Sequence, residues 1–288
     1  MKVSGFTFLR NAVMLGYPFE ASIKSILPIV DEFIVALGPC EDNTEEILKR
    51  IDNSKIKIIH TQWNEKVRES GFVYGQQKSI ALFNCTGDWA FYLEADEVIH
   101  EKDLPKIWDA MEKYLKDDEV EALAFDYIHF YGNKNTYVWS PGWYRKEVRI
   151  IKNNIRVWAP KGLFFVVLET NKKGRYPKAA MSGAKIYHYG WIRREEQMEL
   201  KFKMVDKYWG KSGNRKVKYE EIDPKVLKEF KGTHPKVIQD WLPPAEGIFK
   251  ANPKHKLTWK EKKHRIALFI EKLFNIDLSK KHFRLVRK

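Results

Sequence analysis

Three carboxylates stand close together in the segment Glu94-Ala95-Asp96-Glu97, which follows a short apolar run. If a strand continues through this segment, its alternating side chains point Glu94 and Asp96 to the same side. Two carboxylates on one face repel each other unless a cation lies between them. Oxygen ligands suit Mg²⁺ or Mn²⁺, which completes its coordination shell with water and substrate phosphates. Taken alone, the segment is more typical of a solvated acidic turn, so its surroundings must decide.

Alternating strand and helix patterns precede the acidic segment. The apolar runs predict strands over Val3–Phe8, Glu32–Leu37, Ile56–Ile59 and Asp88–Leu93, with helices over Tyr17–Ile26, 42–51 and Gly75–Asn84. Strands separated by helices predict a largely parallel sheet with right-handed crossovers. Ligands bind at the carboxyl ends of the strands in such sheets. We therefore expect Arg10, Gly38, Trp63 and Asp96 to lie along one edge.

The second half of the chain predicts a mixed extension of this sheet followed by helices. Strand patterns cover Ala122–Phe130, Glu147–Ile151, Leu163–Leu168 and Ala184–Tyr189, and helical patterns cover Arg193–Trp209 and Trp259–Phe274. Several prolines interrupt the segment between the two helices, and no internal repeat is visible.

Five short motifs follow one another over the first hundred residues. They are Arg10-Asn11, Val30-Asp31-Glu32-Phe33-Ile34-Val35, Asp42-Asn43-Thr44, Gly75-Gln76-Gln77-Lys78, and Gly87-Asp88-Trp89 running on to Glu97. In this order and spacing they resemble the family-2 glycosyltransferases of the GT-A fold, especially the bacterial branch that acts on lipopolysaccharide cores and related glycans. A weaker match continues to about residue 195.

The resemblance implies an α/β fold, a mostly parallel Rossmann-like sheet flanked by helices. Residues 1–195 would form the catalytic domain, with 1–100 binding the nucleotide-sugar and 101–195 forming the acceptor side. Residues 196–288 would form a basic, helical C-terminal extension.

The resemblance also implies site residues and a divalent cation, Mg²⁺ or Mn²⁺. Asp96, Glu94 and His188 would hold the metal. The nucleotide-sugar would contact Thr7, Phe8, Arg10, Gly38, Asp42, Gln76, Gln77, Lys78, Glu94, Ala95 and Asp96. Two positions depart from the family pattern: Leu37-Gly38 replaces the Asp that reads the base, and Glu94 replaces the first Asp of the acidic motif.

The segment from Pro141 to Ile150 resembles the acceptor-side stretch of the same family. Trp143 and Tyr144 suit a glycan because aromatic faces stack on sugar rings. An inverting transfer needs a base for the acceptor hydroxyl, and Glu147 is the first candidate, with Asp126 and Glu169 as alternatives. Arg149 would contact phosphate or acceptor. A salt-bridged surface pair of Glu147 and Arg149 is an equally good interpretation.

The charge is concentrated at one end of the chain. The net charge is +14, and residues 251–288 contain twelve Lys or Arg against three Asp or Glu. This distribution argues against a uniformly basic nucleic-acid-binding surface. The helix over Trp259–Phe274 has one apolar stripe flanked by lysines, which favours docking on the catalytic domain, with contact to an anionic membrane as the alternative.

Two cysteines without metal-type spacing, no signal peptide and no apolar stretch near ~18 residues predict a cytoplasmic protein. Peripheral attachment at the inner membrane surface is compatible with the same features.

We therefore expect a metal-dependent, inverting glycosyltransferase of the hexosyltransferase type. It would move sugar from a nucleoside diphosphate sugar to a glycan or lipid-linked acceptor, with no nucleic-acid partner. A nucleotidyltransferase of related fold is one alternative, although Phe6–Asn11 lacks the glycine-rich loop expected there. A non-catalytic basic protein that binds nucleic acid or glycan is another.

Overall fold

The computed structural model describes residues 1–51 and 54–287. The helices of this part of the chain are α1 (Phe19–Ile26), α2 (Thr44–Arg50), α3 (Phe72–Phe83), α4 (Leu104–Tyr114), α5 (Glu195–Val205) and α6 (Trp259–Phe274). The strands are β1 (Val3–Leu9), β2 (Glu32–Leu37), β3 (Ile56–His60), β4 (Trp89–Tyr92), β5 (Glu97–Ile99), β6 (Ala122–Tyr131), β7 (Asn133–Val138), β8 (Lys146–Lys152), β9 (Val157–Trp158), β10 (Val166–Thr170), β11 (Lys173–Arg175), β12 (Lys178–Trp191), β13 (Leu227–Glu229) and β14 (Arg284–Leu285).

One large mixed sheet organises the molecule, with the strand order β13-β7-β6-β8-β4-β1-β2-β3. The strands β4, β1, β2 and β3 run parallel to one another, as the alternation of strand and helix predicts. Beyond β4 the strands β8, β6 and β7 are antiparallel, while the long strand β12 lies parallel to β6. The predicted α/β fold is confirmed.

Strand β2 shows why the sheet is covered on both faces. All six of its residues are buried. Phe33, Val35 and Leu37 pack in the cluster that contains α1, while Ile34 and Ala36 pack in the cluster that contains α3. A continuous apolar run is therefore what a strand between two helical layers requires.

The acidic segment lies in a turn and not on a strand. Strand β4 ends at Tyr92, and the backbone N–H of Glu97 donates to the Glu94 carbonyl across the turn. The expectation that one strand carries Glu94 and Asp96 on the same face is therefore wrong. Chain direction reverses here, so that β5 pairs antiparallel with β12 and sets Glu97 opposite His188.

Other elements differ from the sequence predictions in their extent. Helix α4 has no counterpart among the predicted helices. The predicted strand over Leu163–Leu168 begins only at Val166, and the predicted helix over Arg193–Trp209 is α5 followed by a 3₁₀ turn over Asp206–Trp209. Between that turn and α6 the described chain holds only short strand and 3₁₀ segments, so the extension is less helical than expected. None of the described helices combines the length and apolar character that crossing a membrane needs.

Glu32 joins the parallel strands at their amino ends. Its carboxylate is buried and accepts hydrogen bonds from Ser4 of β1, from the backbone and hydroxyl of Thr86 and from Lys57 of β3. Burial opposes ionisation, but the hydrogen bonds from Lys57, Ser4 and Thr86 outweigh it and lower the pKa of Glu32 to about 2. The ionised carboxylate therefore stabilises the folded state.

Replacement of Glu32 by Gln should destabilise the protein by about 2 kcal/mol at neutral pH, because a buried charged acceptor is lost. The pKa of Glu32 is lower in the folded chain than in the unfolded one, so its contribution is present above the unfolded pKa of ~4.3 and is lost as the pH falls toward 2. Urea unfolding at several pH values measures this, with the exposed Glu46→Gln as control. Equal acid sensitivity of E32Q and the wild type would contradict the assignment.

Candidate active site

A cavity of about 270 Å³ opens at the carboxyl ends of the parallel strands. Arg10, Trp63 and Asp96 line it, as predicted for this edge of the sheet. Its walls are rich in aromatic rings, namely Phe8, Tyr17, Trp63, Tyr74, Tyr92, Tyr208 and Trp209. Glu94 and Ala95 also line the cavity, so the acidic turn forms part of its wall.

Gly38 has a steric role beside the cavity. A Cβ at this position would lie 2.3 Å from Nε1 of Trp63, so only glycine lets the indole lie against the end of β2. Trp63 in turn contacts Phe8, Tyr74 and Tyr208 edge-on or tilted. At the position where the family pattern has Asp, Gly38 therefore leaves room for the Trp63 ring.

The segment after residue 195 covers the cavity. Lys201, Met204 and Val205 of α5, together with Lys207, Tyr208 and Trp209 of the following turn, line it directly. The boundary expected at residue 195 therefore passes through the site, and the C-terminal extension is part of it. No sequence signal tied this helix to the cavity, because Lys201 lies in an ordinary amphipathic pattern.

Glu65 fastens this cover to the sheet. Its carboxylate accepts hydrogen bonds from Arg10, Lys207 and the Tyr208 hydroxyl. These contacts outweigh the effect of burial and lower the pKa of Glu65 to about 2. Gly71, at φ +69°, lets Trp209 pack closely, because a Cβ there would lie 2.5 Å from the indole.

Asp96 is buried and already carries two cationic partners. Its Oδ2 accepts a hydrogen bond from Arg193 at 2.8 Å and lies 3.7 Å from Nζ of Lys201. Burial opposes ionisation, but Lys201 and Arg193 help to hold the pKa of Asp96 at about 2. Asp96 is therefore an anion in the folded protein, and no local sequence pattern indicates either of its cationic partners.

Arg149 binds the other two acidic side chains of the turn from below. Its guanidinium donates to both oxygens of Glu97, at 2.7 and 2.8 Å, and to Glu94 at 3.1 Å. A register shift between β6 and β8 places Arg149 in a β-bulge, which turns its side chain toward the acidic turn. Because Arg149 is fully buried, its observed role is to support the acidic turn, and contact with phosphate or acceptor stays a prediction.

The two carboxyl groups that Arg149 binds, Glu94 and Glu97, differ in their basicity. Burial and repulsion from Glu97 raise the pKa of Glu94 to about 8, whereas Arg149 lowers the pKa of Glu97 despite its burial. The buried Tyr127 hydroxyl also donates to Glu97 at 2.8 Å. Glu97 is thus a structural anion, while Glu94 retains a proton near neutral pH.

A pair of buried histidines fixes the tautomer of His188. Nε2 of His129 lies 2.7 Å from the Tyr144 carbonyl oxygen, which can only accept, so His129 carries a proton there. Burial and the neighbouring His188 lower the pKa of His129 well below its ordinary value, and its neutral Nδ1 must accept. The His188 Nδ1, 2.9 Å away, therefore donates. Burial also lowers the pKa of His188, which leaves a lone pair on its Nε2.

That lone pair faces a carboxylate. Nε2 of His188 lies 3.7 Å from Oδ1 of Asp96, and two electron-rich atoms so placed favour a cation between them. Within residues 1–51 and 54–287 no three His, Cys, Asp or Glu side chains are grouped to hold a metal by themselves. Mg²⁺ and Mn²⁺ commonly take only one or two protein ligands beside substrate phosphates, so Asp96 and His188 fit such an ion.

Several predicted nucleotide contacts serve the framework instead of lining the cavity. The Thr7 hydroxyl donates to the Leu93 carbonyl, Asp42 accepts from the Met14 backbone, and Gln77 bonds to Thr61 and Gln62. Gln76 is exposed.

Lys78 lies beneath the floor of the cavity. It is fully buried, with Nζ 3.9 and 3.8 Å from the ring centres of Tyr92 and Phe165. Burial and the nearby Arg149 lower its pKa well below the ordinary value. Lys78 therefore supports the floor through its contacts with these rings, and its contact with a nucleotide stays a prediction.

The three predicted bases also lie outside the cavity lining. Glu147 is fully buried and accepts from the Val148 backbone while pairing with His282 at 2.5 Å. Asp126 pairs with Lys146, and Glu169 pairs with Lys173 and Arg175. The role of base therefore stays a prediction, and the burial of Glu147 disfavours it as the first choice.

The two aromatic residues predicted to bind the acceptor are partly buried and packed against other rings, so they do not form an open stacking surface. Trp143 packs against His129 and Trp191 and lines a second cavity beside α6. Tyr144 packs edge-on against Tyr127 and His129. Acceptor binding by these rings stays a prediction.

Comparison with known proteins identifies a family that the chain matches. The model of glycosyl transferase family 2 matches residues 19–166. No curated protein sequence matches the chain. Among solved structures, S. aureus TarS residues 1–349 in complex with UDP is 15% identical, with a TM-score of 0.36, and the match covers 53% of this chain and 47% of that one.

A second solved structure is glucosyl-3-phosphoglycerate synthase from Mycobacterium tuberculosis with Mn²⁺, UDP and phosphoglyceric acid. It is 20% identical, with a TM-score of 0.32, and the match covers 44% of this chain and 43% of that one. The chain therefore spans less than half the length of each of these two structures.

Replacement of Arg149 by Met should cost about 3–5 kcal/mol of unfolding free energy, because Glu97 becomes a buried charge without its partner. Adding Glu97→Gln to R149M should restore part of the loss. Urea denaturation measures both variants, with the exposed Arg156→Met as the matched control. An R149M protein as stable as R156M would contradict the role assigned to this ion pair.

Proposed function

The chain belongs to glycosyl transferase family 2, and we propose that it is a metal-dependent, inverting enzyme that uses a nucleoside diphosphate sugar. The acceptor would be a glycan or a lipid-linked glycan. The observation that carries this proposal is a single cavity in which aromatic walls and three cations meet the acidic turn. Such a set of groups matches the three chemical parts of the donor: a planar base, an anionic diphosphate and a polar sugar.

The base would lie among the rings around Trp63. A base of any kind presents a π-face, and stacking on aromatic side chains is worth ~1–3 kcal/mol per base.

The diphosphate would lie between the cover and the acidic turn. Lys201, Lys207 and Arg10 line the cavity, and charge-assisted hydrogen bonds from such groups are the strong ones. Lys201 is the central contact because it also lies 3.7 Å from Asp96.

Asp96 and His188 would hold the divalent cation, and Glu94 would contact its waters or the ribose. When bound, the cation supplies neutralising charge that makes the diphosphate a better leaving group. Arg193 keeps the Asp96 carboxylate oriented through its 2.8 Å hydrogen bond, and His129 fixes the His188 tautomer through its 2.9 Å bond.

Replacement of Lys201 by Met should weaken donor binding about tenfold, because one charge-assisted contact to the diphosphate is lost. The matched control is Lys203→Met, which removes an exposed lysine from the same helix. Isothermal titration calorimetry with UDP, GDP, dTDP and CMP in the presence of Mn²⁺ measures both. Equal affinities of K201M and K203M for the nucleotide that binds would rule out this role.

A thermal-shift panel of UDP-, GDP-, dTDP- and CMP-sugars with and without Mn²⁺ tests the whole proposal. One donor at ~100-fold its Kd should stabilise the wild type by about 2.7 kcal/mol, or several degrees in Tm. Asp96→Asn keeps a hydrogen-bond acceptor for Arg193 but should lose the Mn²⁺-dependent part of the shift. Asp103→Asn, a buried carboxylate outside the cavity, should keep it. No stabilisation by any donor would overturn the proposal.

A further inference from the structure

Helix α6 is attached to the rest of the protein by ion pairs and by Leu268, which packs against a buried apolar cluster. Arg265 donates to both oxygens of Asp223, and Glu271 accepts both hydrogen bonds of a buried pair with Arg145. Thr258 and Glu261 form a capping box at the first turn. Polar contacts of this kind fix the rotation of the helix about its axis, so its opposite face must point outward.

The outward face is apolar. Trp259, Ile266, Phe269, Leu273 and Phe274 have 62 to 72% of their surface exposed. The spacing of these residues places them on one stripe along the helix. This corrects the expectation that the apolar stripe docks on the catalytic domain. The stripe continues past the helix end through Ile276 and Leu278, which are also exposed.

The charges around the stripe are of one sign. Lys260, Lys262, Lys263 and Lys272 are all exposed. The two acidic residues of the helix are used elsewhere: Glu261 in the capping box and Glu271 with Arg145. The outward side of α6 therefore presents aromatic and aliphatic side chains with a cationic border.

We propose that α6 docks on the surface of an anionic lipid bilayer, with its axis in the plane of the interface. A helix with Trp, Phe and Leu on one face and lysines around it matches the surface of an anionic bilayer, because the apolar side chains suit the acyl boundary and the lysines suit the anionic headgroups. A second copy of the chain is a poorer partner, because face-to-face pairing would bring the same lysines together. Burial of the apolar side chains and attraction of the lysines to anionic headgroups both favour membrane binding.

The attachment would be rigid. The pair of Arg145 and Glu271 is buried, at 3.0 Å for each contact, and His264 lies 3.4 Å from the Ser140 hydroxyl. Both partners belong to the loop before β8. A membrane-bound α6 would therefore hold that loop at a fixed distance from the lipid surface. The docking itself does not depend on the proposed chemistry of the cavity.

Vesicle co-sedimentation of the full chain tests the proposal. The probes are vesicles of phosphatidylcholine alone and of phosphatidylcholine mixed with phosphatidylglycerol. The wild type should bind the mixed vesicles, and added salt should weaken binding. The double variant Phe269→Ser, Leu273→Ser should bind about tenfold more weakly. The triple variant Lys260→Gln, Lys262→Gln, Lys263→Gln should be weakened to a similar extent.

The matched control is Phe83→Ser, since Phe83 and Phe269 are each 67% exposed, and this variant should bind like the wild type. Circular dichroism melting checks that all variants fold. Absence of binding to the mixed vesicles would overturn the proposal. So would light scattering that shows a wild-type dimer which the double variant converts to a monomer without a change in vesicle binding, because a second copy would then cover the stripe.

Discussion

The site depends on how three carboxyl groups within four residues after β4 are neutralised, Asp96 and Glu97 by cations and Glu94 by the proton that it retains near neutral pH. Buried carboxylates without partners are strongly destabilising, so the turn can persist only if cations reach it. Arg149 bonds to Glu97 and Glu94 from beneath, while Arg193 and Lys201 pair with Asp96 from the other side. This arrangement leaves the turn rigid while Glu94 and Asp96 still line the cavity.

These cations come from three distant parts of the chain, so the acidic turn links parts of the fold that are far apart in sequence. Arg149 belongs to β8, Arg193 follows β12, and Lys201 belongs to α5. The acidic turn therefore joins the parallel half of the sheet, the antiparallel half and the C-terminal cover. A division into a donor half, an acceptor half and a separate extension does not describe the contacts.

The sequence predicted the parallel strands and the edge where Arg10, Trp63 and Asp96 meet, because apolar runs and their order carry that information. It also predicted α6 at the residues where the helix lies. It did not predict the turn at Glu94, because a short acidic segment of this kind is compatible with either a strand end or a turn. The β-bulge at Arg149 and the outward rotation of α6 follow from pairing and ion pairs between distant residues, which no local pattern reports. The pairing of His129 with His188 had no signal for the same reason.

The most direct test of the central claim is an anomalous difference map at the manganese edge, from crystals grown with UDP and Mn²⁺. We expect one strong peak within coordination distance of Asp96 and His188, with the nucleotide diphosphate beside it and next to Lys201. A manganese peak elsewhere, or a nucleotide bound outside the cavity of Trp63 and Tyr208, would contradict it.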